Sequence, residues 1–87
     1  SIPDGYIYTE DYNFCIGIET KITENNLREE QLEGHLEQLS DYNTSILLVL
    51  TPDKNEPNII CKLKKKYNNL IFISWLKLLE LMAIIGN

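Results

Sequence analysis

The chain has 87 residues and a net charge of −5, with 44% hydrophobic and 24% charged residues. This length allows one small domain, and the composition excludes a disordered tail. The acidic balance disfavours nucleic-acid binding, because contacts to phosphates need lysine and arginine. Half of the basic residues nevertheless form one short run that could make a local basic surface. The run consists of Lys62, Lys64, Lys65 and Lys66.

Two cysteines and one apolar segment bear on the compartment of the protein. Cys15 and Cys61 lack the close spacing of metal or redox motifs, and we expect no signal peptide. We therefore predict two buried, reduced thiols in a cytoplasmic protein. Residues 76–85 are apolar, but they are too few to cross a membrane, so we expect no membrane partner.

The N-terminal quarter contains two segments typical of strands. Residues 4–10 and 14–22 are rich in strand-forming residues, and the polar residues 11–13 separate them. This arrangement predicts an antiparallel hairpin. Because strand side chains alternate, the second strand has one face with Ile16, Ile18, Thr20 and Ile22. The other face carries Cys15, Gly17, Glu19 and Lys21.

Residues 27–42 have the composition and periodicity of an amphipathic helix. Its apolar stripe consists of Leu32, Leu36 and Leu39. A polar stripe runs about 100° around the helix from that apolar stripe. This second stripe consists of Gln31, His35, Gln38 and Tyr42.

The remainder of the chain alternates between strand and helix patterns. The continuous apolar run 45–51 is typical of a central strand, and Pro57 can open the helix that follows. Residues 70–75 predict a further strand, and residues 76–85 predict a last helix. The order is therefore β-β-α-β-α-β-α. It indicates an α/β fold with a mixed sheet, an N-terminal antiparallel hairpin and helices packed on the sheet.

The hairpin would bring three charged side chains together. If it turns about Tyr12, Asp4 lies opposite Thr20. A shift of one residue would place Asp4 opposite Glu19 or Lys21 instead. Two carboxylates in one place suit Mg²⁺ or Mn²⁺. A lysine beside the metal could orient or deprotonate a water molecule and stabilise charge on a phosphate.

These residues also resemble a known signature. Residues 3–4 (PD) are followed, after a strand and a turn, by residues 18–21 (IETK), which is similar to the motif of PD-(D/E)xK nucleases. Many members carry a glutamine in the next helix and a tyrosine or histidine one turn later, as Gln31 and His35 do here. The later strand IFISW is also similar to members of this family. The resemblance implies that residues 1–87 form a single restriction-endonuclease-like nuclease domain.

The resemblance implies a role for each residue of the motif. Asp4, Glu19 and the backbone carbonyl of Thr20 would bind Mg²⁺ or Mn²⁺. Lys21 would serve the attacking water, and Gln31 would contact the metal site or the substrate. The implied activity is metal-dependent hydrolysis of phosphodiester bonds in DNA. The alternative is a catalytically silent module of the same fold that binds protein or nucleic acid.

The chain departs from the family at its N-terminal end, and its motif residues also have a simpler structural interpretation. Family members usually begin with a helix and a strand before the PD motif, whereas only residues 1–3 precede Asp4. We therefore expect a partial domain whose sheet is completed by an N-terminal segment or by a second copy in a homodimer, and a degenerate domain is the third alternative. In the plainer interpretation, Glu19 and Lys21 belong to a solvated strand face, and Gln31 belongs to the boundary of an amphipathic helix.

Overall fold

The computed structural model describes residues 3–86, which form strands and helices in the predicted order. The strands are β1 (Gly5–Tyr8), β2 (Phe14–Thr20), β3 (Thr44–Thr51) and β4 (Leu70–Ser74). The helices are α1 (Glu29–Leu39), α2 (Asn58–Lys64) and α3 (Trp75–Gly86). Most elements are shorter than predicted, and Trp75 begins α3 instead of ending β4.

The four strands form one mixed sheet in the order β1-β2-β3-β4. β1 pairs with β2 in the antiparallel direction, whereas β2 with β3 and β3 with β4 are parallel pairs. The predicted hairpin and the α/β class with a mixed sheet are therefore confirmed. β1 lies at one edge of this sheet, and its completion by another segment or a second copy stays a prediction.

The register of the hairpin differs by one residue from a hairpin centred on Tyr12. Gly5 lies opposite Ile18, and the amide of Thr9 donates a hydrogen bond to the carbonyl of Phe14 at 3.0 Å. The turn therefore has an even number of residues, and its centre falls between two of them. The ladder ends at Gly5, which leaves the preceding residue just beyond the paired segment.

The hydrophobic core lies between one face of the sheet and the helices α1 and α2. Its buried members are Cys15, Leu32, Leu36, Leu39, Leu47, Val49, Ile60, Leu63 and Leu70. The predicted leucine stripe of α1 and the central position of β3 are confirmed. Gly17 permits the close approach of α1, because a Cβ at this position would lie 3.2 Å from Cδ1 of Leu39.

The helix α3 does not take part in this core. Within residues 3–86 none of its side chains is buried, and Leu79 and Ile84 are 60% and 74% exposed. The prediction that the helices pack on the sheet therefore holds for α1 and α2 and is wrong for α3. Among the described residues, none of the helices has the length and apolar character needed to span a bilayer.

The two cysteines are free thiols in different environments. Cys15 is buried in the core, as predicted. Cys61 is exposed, so the prediction of a second buried thiol was wrong. The reason is that Cys61 lies on the outward face of α2, whereas Ile60 and Leu63 form the buried face.

Candidate active site

Glu19 is a buried carboxylate on the core-facing side of β2. Only 1% of the residue is exposed, because it lies on the same face of β2 as the buried residues Cys15 and Gly17. Its Oε1 accepts a hydrogen bond from Nε2 of His35 at 3.1 Å. Its Oε2 lies 3.5 Å from Nζ of Lys21. The interpretation of a solvated strand face is therefore wrong for Glu19.

His35 comes from α1 and is completely buried. It is the buried member of the predicted polar stripe, whereas Gln38 of the same stripe is exposed. Burying a carboxylate is costly unless it is paired and hydrogen-bonded. The N–H of His35 and the ammonium of Lys21 meet this need, each at a different oxygen of Glu19.

Lys21 follows directly after β2, and its backbone is held on both sides. Its amide donates to the carbonyl of Leu50 at 2.9 Å, and its carbonyl accepts from Nε1 of Trp75 at 3.0 Å. The lysine side chain is 18% exposed, so its ammonium contacts Glu19 and still reaches solvent. Trp75 is half-buried, and its indole anchors the lysine backbone. A tryptophan at the end of an apolar strand was the only available signal for this contact.

Asp4 reaches the same end of β2 from the start of β1. Its Oδ2 accepts hydrogen bonds from the backbone amide of Thr20 at 2.8 Å and from its hydroxyl at 3.1 Å. The carboxylate therefore lies next to the residue that separates Glu19 from Lys21 in the strand. The structure brings Asp4 to this end through Thr20 and not through a cross-strand pair.

Gln31 lies on α1, one turn before the histidine that contacts Glu19. Further along the helix, Leu39 packs against Gly17. The step of four residues from Leu39 to His35 on the helix thus matches the step of two residues from Gly17 to Glu19 on the strand. Both steps cover about 6 Å. Gln31 lies one further helical step along α1, in the direction that runs from Gly17 to Glu19 on β2. Its Oε1 is buried and has no hydrogen-bond partner among the described residues, so this acceptor needs a donor.

The chemistry of these groups fits a divalent cation. Two carboxylates, from Asp4 and Glu19, and the backbone carbonyl of Thr20 are the hard oxygen ligands that Mg²⁺ and Mn²⁺ prefer. The unpaired oxygen of Gln31 could accept a hydrogen bond from a water molecule of such a site. Residues 3–86 contain no group of three or more His, Cys, Asp or Glu side chains placed to hold a metal ion. Asp4 and Glu19 supply only two carboxylates, so they fall below that number.

The lysine run on and after α2 is exposed, and most of it is paired. Three of its four lysines form ion pairs with glutamates of α1 or of the segment before α2. The pairs are Lys62 with Glu29, Lys64 with Glu56, and Lys66 with Glu33. The lysine run is therefore partly neutralised, and it does not form the separate basic surface that phosphate binding would use.

Comparison of the chain with models of protein families, with curated proteins and with solved structures found no match. The resemblance to PD-(D/E)xK nucleases accordingly rests on the motif residues and their arrangement.

Proposed function

We propose that this chain carries the active site of a metal-dependent nuclease of the restriction-endonuclease-like PD-(D/E)xK class, which hydrolyses phosphodiester bonds in DNA. The observation that carries the proposal is the buried carboxylate of Glu19. One of its oxygens is held by His35, and the other faces Lys21. A buried ion pair often stabilises a fold less than apolar residues of similar volume. Its presence at this position therefore favours a functional role.

The proposed residues divide the chemistry among them. Asp4, Glu19 and the carbonyl of Thr20 would hold Mg²⁺ or Mn²⁺. The bound ion would supply a more acidic water and positive charge beside the phosphate. Lys21 would orient that water and stabilise the charge that develops on the phosphate oxygens. Gln31 would accept a hydrogen bond from the water or the substrate through its buried Oε1.

The rigidity of the site supports this division of roles. Glu19 is held by a side chain from α1, and the Lys21 backbone is held by Leu50 and Trp75. Ligands that are fixed before substrate binds need no reorganisation during the reaction, which is the main source of electrostatic catalysis. DNA as the substrate is the part of the proposal that rests on the resemblance alone.

The test is cleavage of single- and double-stranded DNA by the full chain with Mg²⁺ or Mn²⁺. We expect Glu19→Gln and Lys21→Met each to lower the cleavage rate by about 100-fold or more, the usual effect of losing one such group. Glu30→Gln and Lys65→Met are the matched controls, because they make the same changes at exposed positions. Circular dichroism of each variant separates a catalytic loss from unfolding.

One observation favours a second function. The lysines of the run pair with glutamates, and this pairing weakens any electrostatic attraction to DNA. In this case the domain would be a catalytically silent module that binds protein or nucleic acid. Calorimetric titration with Mn²⁺ distinguishes the two functions. Absence of both cleavage and a Mn²⁺ site that depends on Glu19 would overturn the nuclease proposal and favour the silent module.

A further inference from the structure

Four tyrosines surround a cleft at the other end of β2 from the candidate active site. The cleft has a volume of about 410 Å³, and Gln38, Leu39 and Asp41 complete its lining. The tyrosines are Tyr6 and Tyr8 of β1, Tyr12 of the hairpin turn, and Tyr42 after α1. We call this group of side chains the tyrosine cleft.

The rings of the tyrosine cleft lie close to one another and remain partly accessible. The centroids of Tyr12 and Tyr42 are 5.2 Å apart, and those of Tyr6 and Tyr8 are 6.5 Å apart in an edge-to-face arrangement. Tyr8 and Tyr12 are more than half exposed, whereas Tyr6 and Tyr42 are half-buried. The cleft is therefore lined by aromatic rings that remain partly accessible to a ligand.

The hydroxyl groups of Tyr6 and Tyr42 stay neutral at physiological pH. Burial raises the pKa of Tyr42 above its ordinary value, and the proximity of Cys15 and the other three tyrosines raises it further. Burial also raises the pKa of Tyr6. The rings of Tyr6 and Tyr42 therefore act through the negative potential of their faces, which attracts cations, and not as phenolates.

The backbone at Tyr12 indicates that its ring is present for a reason other than the turn. Its φ is +59°, a region that favours glycine or asparagine and that bulky residues rarely adopt. Hydrogen bonds to Thr9 and from Asn43 hold it there. Glycine or asparagine would make the same turn without strain. Backbone outliers of this kind concentrate at ligand sites.

The charge around the tyrosine cleft is acidic. The segments 6–12 and 38–42 supply its lining, and neither segment contains a lysine or an arginine. Asp41 lies in the lining, and Glu10 and Asp11 lie in the turn beside Tyr12. Such a surface repels phosphate and attracts positive charge.

We propose that the tyrosine cleft binds an organic cation of the guanidinium or alkylammonium class. The aromatic faces would receive the cation, and the carboxylate of Asp41 would balance its charge. The same chemistry is offered by an arginine or lysine side chain of a basic partner protein and by a free small amine. This proposal does not depend on the nuclease activity.

The test is an NMR titration of the full chain, observed at the tyrosine ring signals. The probes are a Gly-Arg-Gly peptide with an acetylated N-terminus and an amidated C-terminus, the same blocked peptide with neutral citrulline, and tetramethylammonium. We expect saturable shifts of the four tyrosines of the cleft with the arginine peptide or tetramethylammonium and none with the citrulline peptide. Tighter binding of the peptide than of tetramethylammonium would favour the guanidinium group of a protein partner, and the reverse would favour a free small alkylammonium ion.

Variants locate the binding at the cleft. Tyr12→Asn removes one ring at a position where asparagine suits the backbone, so the variant folds and should bind about tenfold more weakly. Tyr67→Phe, which alters a tyrosine outside the cleft, is the control and should bind as the wild type does. Equal binding of the arginine and citrulline peptides, no saturable shift with either cation, or undiminished binding by Tyr12→Asn would overturn the proposal. A single-stranded oligonucleotide that shifts these tyrosines when the cations do not would replace it with base stacking.

Discussion

Nε2 of His35 lies 3.1 Å from Oε1 of Glu19, and both side chains are buried between α1 and β2. The imidazole N–H donates and the carboxylate accepts. Because Lys21 faces the second oxygen, the orientation of the carboxylate is fixed from two sides. The helix that follows the hairpin thus positions a residue of the candidate active site.

His35→Leu should lower both stability and cleavage, because it leaves one oxygen of Glu19 buried without a donor. We expect a loss of about 1–3 kcal/mol in the free energy of unfolding, measured by urea denaturation. His35→Gln keeps an N–H donor and should recover part of both losses. Equal stability and equal cleavage rates for the leucine and glutamine variants would show that the contact does not position Glu19.

Trp75→Phe tests the anchoring of the Lys21 backbone. It removes the indole N–H that donates to the carbonyl of Lys21 and should cost about 0.5–1.5 kcal/mol. If Lys21 is catalytic, kcat should fall while KM changes little, because the lysine loses its position and the substrate contacts remain. Tyr67→Phe is the control, since it removes a hydroxyl that pairs with Glu33 and not with the site. An unchanged kcat for Trp75→Phe would contradict the anchoring role.

Two leucine substitutions should distinguish the contribution of the core to stability from the contribution of α3. Leu36 is 1% exposed, so Leu36→Ala should destabilise the fold by about 2–5 kcal/mol. Leu79 is 60% exposed, so Leu79→Ala should change stability by about 0.5 kcal/mol or less. Thermal and urea denaturation measure both. A large loss for Leu79→Ala would show that α3 packs against the sheet in solution.

Cys61 should be a slowly reacting thiol despite its exposure. Its hydrogen bond to the carboxylate of Glu56 raises its pKa, and partial desolvation adds to this effect. A raised pKa leaves less thiolate at a given pH, so alkylation should begin at higher pH than for a free thiol. Glu56→Gln should shift the alkylation profile to lower pH.

Mass spectrometry after iodoacetamide treatment over a range of pH measures this profile for each thiol. Cys15 serves as the internal reference, because burial raises its pKa and should protect it until the chain unfolds. An identical profile for Cys61 in the wild type and in Glu56→Gln would contradict the role of the carboxylate.

The local patterns of the sequence predicted the order of elements, the hairpin, the mixed sheet and the leucine stripe of α1. These features depend on side-chain periodicity and turn composition within a few neighbouring residues, which the sequence displays directly. The register of the hairpin was left open by one residue, and the structure has Gly5 opposite Ile18, with Tyr12 at a positive φ in the turn. No propensity predicts that a tyrosine will adopt this conformation.

For the site, the sequence by itself determined which residues are chemically suited to it and that Glu19 and Lys21 share one side of a strand. Tertiary structure alone decided that this side faces the core, that His35 reaches Glu19, and that Trp75 anchors Lys21. It also decided that Asp4 is held by Thr20. The physical reason is that alternation defines two faces of a strand, whereas only the packing of a helix decides which face loses its water.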